Sequence, residues 1–195
     1  MKTLNVVFVT LLAFNLGCST STGSRADGPV PQSSPVAKSY PQARIQANQL
    51  NDAMLAGDYE KAADLTYPKL IELIGGRDKY LDVLRSGMKQ MQSEAFRVIS
   101  SVSDEPTQII EDGADVYAVL PNTMKMKVSE GVLVGESSVI GVSTDRGERW
   151  TFISSGGPVN REQLKTLFPA VADRLSIPEP KRPVLHRDGQ RPNSQ

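Results

Sequence analysis

Residues 88–103 read MKQMQSEAFRVISSVS, and the fold class turns on a change of rhythm inside them. Up to Met91 the apolar residues recur every three or four positions, so that Leu81, Leu84, Met88 and Met91 share one side of a helix. From Ala95 the period drops to two. Phe96, Val98 and Val102 alternate with Arg97, Ser101 and Ser103, the pattern of a strand with one buried face. Helices before this point and strands after it predict an α+β domain, with N-terminal helices packed on a curved antiparallel sheet.

Toward the N-terminus, Ala43, Ala47, Leu50 and Met54 keep helical spacing up to Gly57, a helix stop. Asp58 can cap a second, short helix running through Asp64 and Leu65, its carboxylate accepting from free N–H groups. Pro68 disfavours α geometry at Tyr67, and residues 69–74 form a brief apolar stretch closed by Gly75-Gly76. Toward the C-terminus, Asp112-Gly113 signals a hairpin, 116–120 a compact strand, and 124–128 alternates apolar residues with Lys125 and Lys127. Glu130-Gly131 marks another turn. Val132, Val134, Ile140 and Val142 share a face of the next strand, and 150–153 belongs to the last, giving an antiparallel meander. Asn160 opens a final short helix with Gln163 placed to complete a capping box. Leu164, Leu167, Phe168 and Val171 supply its buried side, and Pro169 breaks it.

The flanks differ in kind. Residues 1–18 run from Met1-Lys2 through an apolar stretch to Gly17-Cys18, the parts of a secretory signal, and the stretch is too short to span a bilayer. Its end, Asn15-Leu16-Gly17-Cys18, resembles the lipobox of bacterial lipoproteins, with Asn15 standing where Leu is usual. That resemblance implies cleavage before Cys18, lipidation of its sulfur, and attachment of the protein to a membrane of the cell envelope. Acyl chains at about 0.8 kcal/mol per buried CH₂ would hold it there. Ser19 resembles the residue that sends such proteins to the outer membrane, on its periplasmic side, in a Gram-negative cell. Residues 19–41 are rich in Ser, Pro and Gly and read as a disordered tether; 42–177 is the single folded domain; 178–195 reads as a disordered tail. The sole histidine, His186, lies in that tail, which argues against a catalytic role.

Hydrophobic residues make up 39 % of the chain and charged residues 23 %, as in globular proteins, and 22 basic residues balance 22 acidic ones. A balanced chain has no global field to attract a polyanion, so nucleic acid is excluded as a partner.

Residues 57–84, GDYEKAADLTYPKLIELIGGRDKYLDVL, resemble the helical opening of nuclear transport factor 2-like domains, the superfamily of SnoaL-like cyclases and ketosteroid isomerase. In that superfamily a helix leads to a Pro-containing turn, a short strand, a paired-Gly loop and another helix, and a bent sheet closes a cone. The resemblance implies a cone cavity, a small apolar ligand or a protein partner, and pairing of two copies through the sheet. It does not choose an activity, because the same cone serves enzymes and non-catalytic modules.

Two sets of residues remain as candidates for chemistry. Glu136 shares parity with Val132, Val134, Ile140 and Val142, and a carboxylate with that parity sits at the sheet rim, pairs with a cation such as Lys125 or Lys127 on a neighbouring strand, or lines the cavity poised as a base with a raised pKa. With Tyr117 as an oxyanion donor it would make an isomerase- or cyclase-type site inside the cone. Ser143, Asp145, Gly147 and Trp150 match the S-x-D-x-G-x-x-W pattern of the Asp-box, a hairpin device in which Asp ties the turn, Gly takes a positive φ and Trp packs beneath. It occurs once, without a blade repeat, so a propeller reading fails. No Cys/His cluster, calcium loop or phosphate loop is present in the sequence, so no metal or cofactor is expected. The absence of histidine from the folded region favours a non-catalytic binding module over an enzyme.

Overall fold

The computed structural model describes residues 39–93, 96–154, 161–179 and 181–187. Cys18, the signal and all of the tether before Ser39 lie outside the described residues, as does Asn160.

Four helices come first. α1 (Pro41–Ala56) starts on Pro41, whose missing N–H costs nothing at a helix start, and stops at Gly57 with φ 75°. α2 (Tyr59–Asp64) is capped by Asp58, whose carboxylate accepts from the Lys61 N–H at 3.1 Å. α3 (Pro68–Ile74) and α4 (Arg77–Ser93) follow. The resemblance implied a short strand where α3 stands. Pro68 explains the helix: it cannot extend a strand ladder but is well placed at the first helical position, and Gly75 at φ 109° closes the turn.

The sheet is a curled antiparallel meander. β3 (Asp115–Val128) and β4 (Gly131–Ser143) pair without a register shift along their whole length, from Val116↔Ser143 to Val128↔Gly131. The two strands foreseen at 116–120 and 124–128 are therefore one. β1 (Arg97–Ser103) and β2 (Gln108–Asp112) lie end to end on the other edge of β3. β5 (Thr151–Ser154) pairs with β4, and Leu65–Tyr67 closes the edge of β5: the Phe152 N–H donates to the Leu65 carbonyl at 2.8 Å and the Tyr67 N–H to the Phe152 carbonyl at 3.0 Å. After the short α5 (Arg161–Leu167) the tail does not remain structureless. Val184–Arg187 forms β6, antiparallel to β4, with Val132↔His186 and Val134↔Val184 in register. An unpaired β4 edge supplies the hydrogen bonds that a Pro-rich segment cannot make alone.

Each face of the sheet has its own apolar layer. Ala43, Ala47, Val116, Ala118, Leu120, Val139, Trp150 and Phe152 form the layer on the inner face, under α1. Tyr117, Val119, Ile140, Val142 and Ile153 form the outer layer, covered by Leu167, Phe168, Val171 and Leu175. The register shift between Val98 and Ser100 turns β1 over. Ser101 and Ser103 consequently face inward and are buried, while Val102 is 49 % exposed, the reverse of the simple alternation.

Candidate functional site

The inner layer does not fill the space between sheet and helices. Beyond Leu120 and Val139 a cavity of about 330 Å³ opens, with Met54, Leu84, Met88 and Met124 among its apolar walls. Leu50 and Met54 reach it from α1, and Leu84 and Met88 from α4, at positions whose spacing marked them as apolar faces. The side chain of Met91 lies outside the described residues.

Besides the hydroxyls of Ser137 and Ser154, two hydrogen-bonded polar groupings interrupt the apolar wall. In the first, inward Ser101 and Ser103 meet Asn51 of α1 and Asn122 of β3. Asn122 Oδ1 accepts from Asn51 Nδ2 at 3.1 Å and Ser103 Oγ at 2.9 Å, and Asn122 Nδ2 donates to Ser101 Oγ at 3.2 Å. Asn48 clamps the edge of β1, accepting from the Ser103 N–H at 3.0 Å and donating to its carbonyl at 2.9 Å. Such a buried set is stable because its members satisfy one another. In the second, Thr66 Oγ1 donates to the Ala62 carbonyl at 2.8 Å and lies 2.9 Å from Tyr80 Oη. Burial pushes the Tyr80 hydroxyl pKa above its ordinary value, against the pull of Thr66. No charged side chain lines the cavity among the described residues, and none of them groups into a metal site.

Glu136 is not in this cavity. Its parity with Ile140 and Val142 is real, but that parity faces outward; Ser137 and Val139, one position on, face the cavity. The outer layer stops short of Glu136, whose side chain is 58 % exposed and bonded to Lys181 Nζ at 2.7 Å. Its cation thus comes from the C-terminal segment rather than from Lys125 or Lys127. Tyr117 also lies on the outer face, its ring 5.8 Å from that of Phe168 at 78°. Burial, followed by the charges of Asp115 and Asp112 and the neighbouring Tyr67, raises its pKa. Tyr117 pairs with Val142, six residues from Glu136, which is about 20 Å along a strand. The two cannot act on one small substrate.

The Ser143–Trp150 hairpin is a closed structural unit. Asp145 Oδ1 accepts from the Arg149 N–H at 2.9 Å and from Ser143 Oγ at 2.8 Å, and Asp145 Oδ2 from Arg149 Nε at 2.8 Å. The Arg149 backbone and side chain, then Ser143, hold the Asp145 carboxyl far below the usual range. Gly147 takes φ 95°, and a side chain there would strike the ring of Tyr40. Trp150, 1 % exposed, donates from Nε1 to the Gly147 carbonyl at 2.8 Å and packs edge-on against Tyr40.

His186 is exposed on β6. No helix among the described residues is long and apolar enough to cross a membrane. Compared with known proteins, the chain matches no family model, no curated sequence and no solved structure.

Proposed function

We propose that this protein is a lipoprotein of the cell envelope, tethered through Cys18, whose domain is a cone of the nuclear transport factor 2-like kind that binds a small uncharged ligand without transforming it. One observation carries the binding reading: a cavity of about 330 Å³ whose mostly apolar walls carry only neutral polar groups, the Asn–Ser set, the Thr66–Tyr80 pair, Ser137 and Ser154. That is the composition of a small-molecule site, a mostly apolar concavity with few placed polar groups. General acid–base work needs a group that changes protonation within reach of the substrate, and the carboxylate and tyrosine that could have formed a pair stand on the far side of the sheet. Binding is therefore the reading that the geometry supports best.

A neutral, environment-sensitive dye such as Nile red tests it. The wild-type protein should take up the dye with a blue-shifted emission, and Met124→Trp, which fills the cavity from β3, should lose the signal while melting at nearly the same temperature. Dye binding that survives Met124→Trp refutes the cavity as the site. For the anchor, cells fed a radiolabelled fatty acid should label the wild type and not Cys18→Ser; absence of label from both refutes lipidation.

A further inference from the structure

Tyr80 stands at the cavity wall with its hydroxyl against Thr66, and the direction of that hydrogen bond is fixed by elimination. Thr66 Oγ1 lies 2.8 Å from the Ala62 carbonyl, which can only accept. The single hydroxyl hydrogen of Thr66 is spent there. The Thr66–Tyr80 contact of 2.9 Å can then form only if Tyr80 donates. Tyr80 Oη is left with lone pairs and no hydrogen to give. Thr66 cannot turn to release it, because it is 3 % exposed and held where Leu65–Tyr67 joins the edge of β5.

The other polar wall has the opposite sense. Asn122, 5 % exposed, uses one amide hydrogen on Ser101 Oγ at 3.2 Å, and its second has no acceptor among the described residues. Its carbonyl oxygen is already engaged by Asn51 and Ser103.

We infer that Tyr80 is a specificity residue that accepts a hydrogen bond from the ligand, so that the cavity takes an uncharged, chain-like alcohol in preference to the matching ether or carboxylate. This rests on the cavity-binding reading above and deepens it. An ether would set its lone pairs against those of Tyr80. A carboxylate would give up its hydration with no cation in the lining to replace it, a cost that keeps ionised groups out of apolar sites. The volume of about 330 Å³ equals the liquid volume of about eleven waters, so a ligand with roughly eleven non-hydrogen atoms fits.

The full-length protein loaded with Nile red is titrated with 1-decanol, decyl methyl ether and decanoate at pH 7. Decanol should displace the dye at about three- to tenfold lower concentration than the ether, the range of one net hydrogen bond, and decanoate should be the weakest. Tyr80→Phe should bring decanol to the level of the ether. Thr66→Val should do more: it frees the Tyr80 proton to donate, so the ether should gain and the preference should vanish or reverse. The second variant keeps the test decisive should Tyr80→Phe fail to fold. Equal displacement by alcohol and ether in the wild type, or an alcohol preference that persists in both variants, overturns the assignment of Tyr80 while leaving the cavity as a binding site. Failure of the wild type to take up the dye overturns both.

Discussion

Along β3 and β4 one sheet is finished in two different ways. On the outer face Tyr117, Val119, Ile140 and Val142 meet Phe168 and Val171 in a closely packed layer, with Phe168 1 % exposed and its ring 5.2 Å from that of Tyr67; the open concavity of about 710 Å³ at its margin is rimmed by charged side chains, Asp112, Asp115 and Arg149 among them. On the inner face the filling stops at Leu120 and Val139, and the next residues, Asn122 and Ser137, are polar and border open space. Interiors are normally packed as densely as organic crystals, so unfilled volume beside neutral polar groups is the exception that marks a site. The outer layer is closed over by Leu167, Phe168 and Val171, and the inner face leaves part of its depth unpacked.

The difference can be broken by deletion. Phe168→Ala should cost about 3–5 kcal/mol, because the ring is surrounded and its loss leaves a cavity. Met124→Ala, on the hollow side, should cost about 1–2 kcal/mol, since part of that side chain already faces open space. Denaturant unfolding of both variants measures the gap, and equal losses would show that the inner face is as tightly filled as the outer. Addition probes the inner face alone, its filled end against its hollow one. A Cβ placed on Gly141 would meet the Trp150 ring at 3.0 Å and the Phe152 ring at 3.1 Å, so Gly141→Ala should destabilise by about 1–3 kcal/mol. No such penalty should attend Met124→Trp. A thermal melt of Gly141→Ala indistinguishable from wild type would mean that the layer over Gly141 yields.

Which parts of this could be read from the chain follows from how local each signal is. The helix spans, the helix stop at Gly57 and the hairpin at Asp112-Gly113 depend on neighbours in sequence, and α1, α2 and the β2–β3 turn stand where those residues put them. The parity of β4 was equally legible, because β3 and β4 pair without a shift. What parity cannot say is which face the helices will cover, so it leaves open whether Glu136 lines the cavity or stands at the rim, where it pairs with Lys181. The shift at Val98/Ser100 was invisible for a second reason: it turns Val102 outward and two serines inward, a poor arrangement until Asn51 and Asn122 arrive from distant parts of the chain. One local signal of the inner polar set is present in β3. Leu120, Asn122, Met124 and Met126 share a parity, and the amide is the polar member of an apolar series, as Glu136 is in β4. β6 had no local signal, since it borrows its order from the edge of β4.

The hairpin at the filled end of the inner layer gives a pH-dependent test. Asp145 has a lowered pKa when folded, so its contribution is fully present above the ordinary aspartate value of about 3.9 and fades as pH falls toward the lowered one. The stability gap between wild type and Asp145→Asn should therefore be constant from pH 7 to about pH 5 and narrow below pH 4. Melting temperatures in matched buffers measure it, and a gap that widens on acidification would contradict the ties from Arg149 and Ser143.

Glu136→Gln should have the smallest effect of all. Its bond to Lys181 lies in water, where the Coulomb gain is offset by the cost of holding two long side chains, and the carboxylate touches neither apolar layer nor cavity. Unfolding and dye affinity should both match wild type within error. A loss of affinity without a loss of stability would place Glu136 at the ligand after all. It would mean that the outer face, beyond the reach of Phe168, carries a site of its own, and the contrast between a filled face and a hollow one would have to be redrawn.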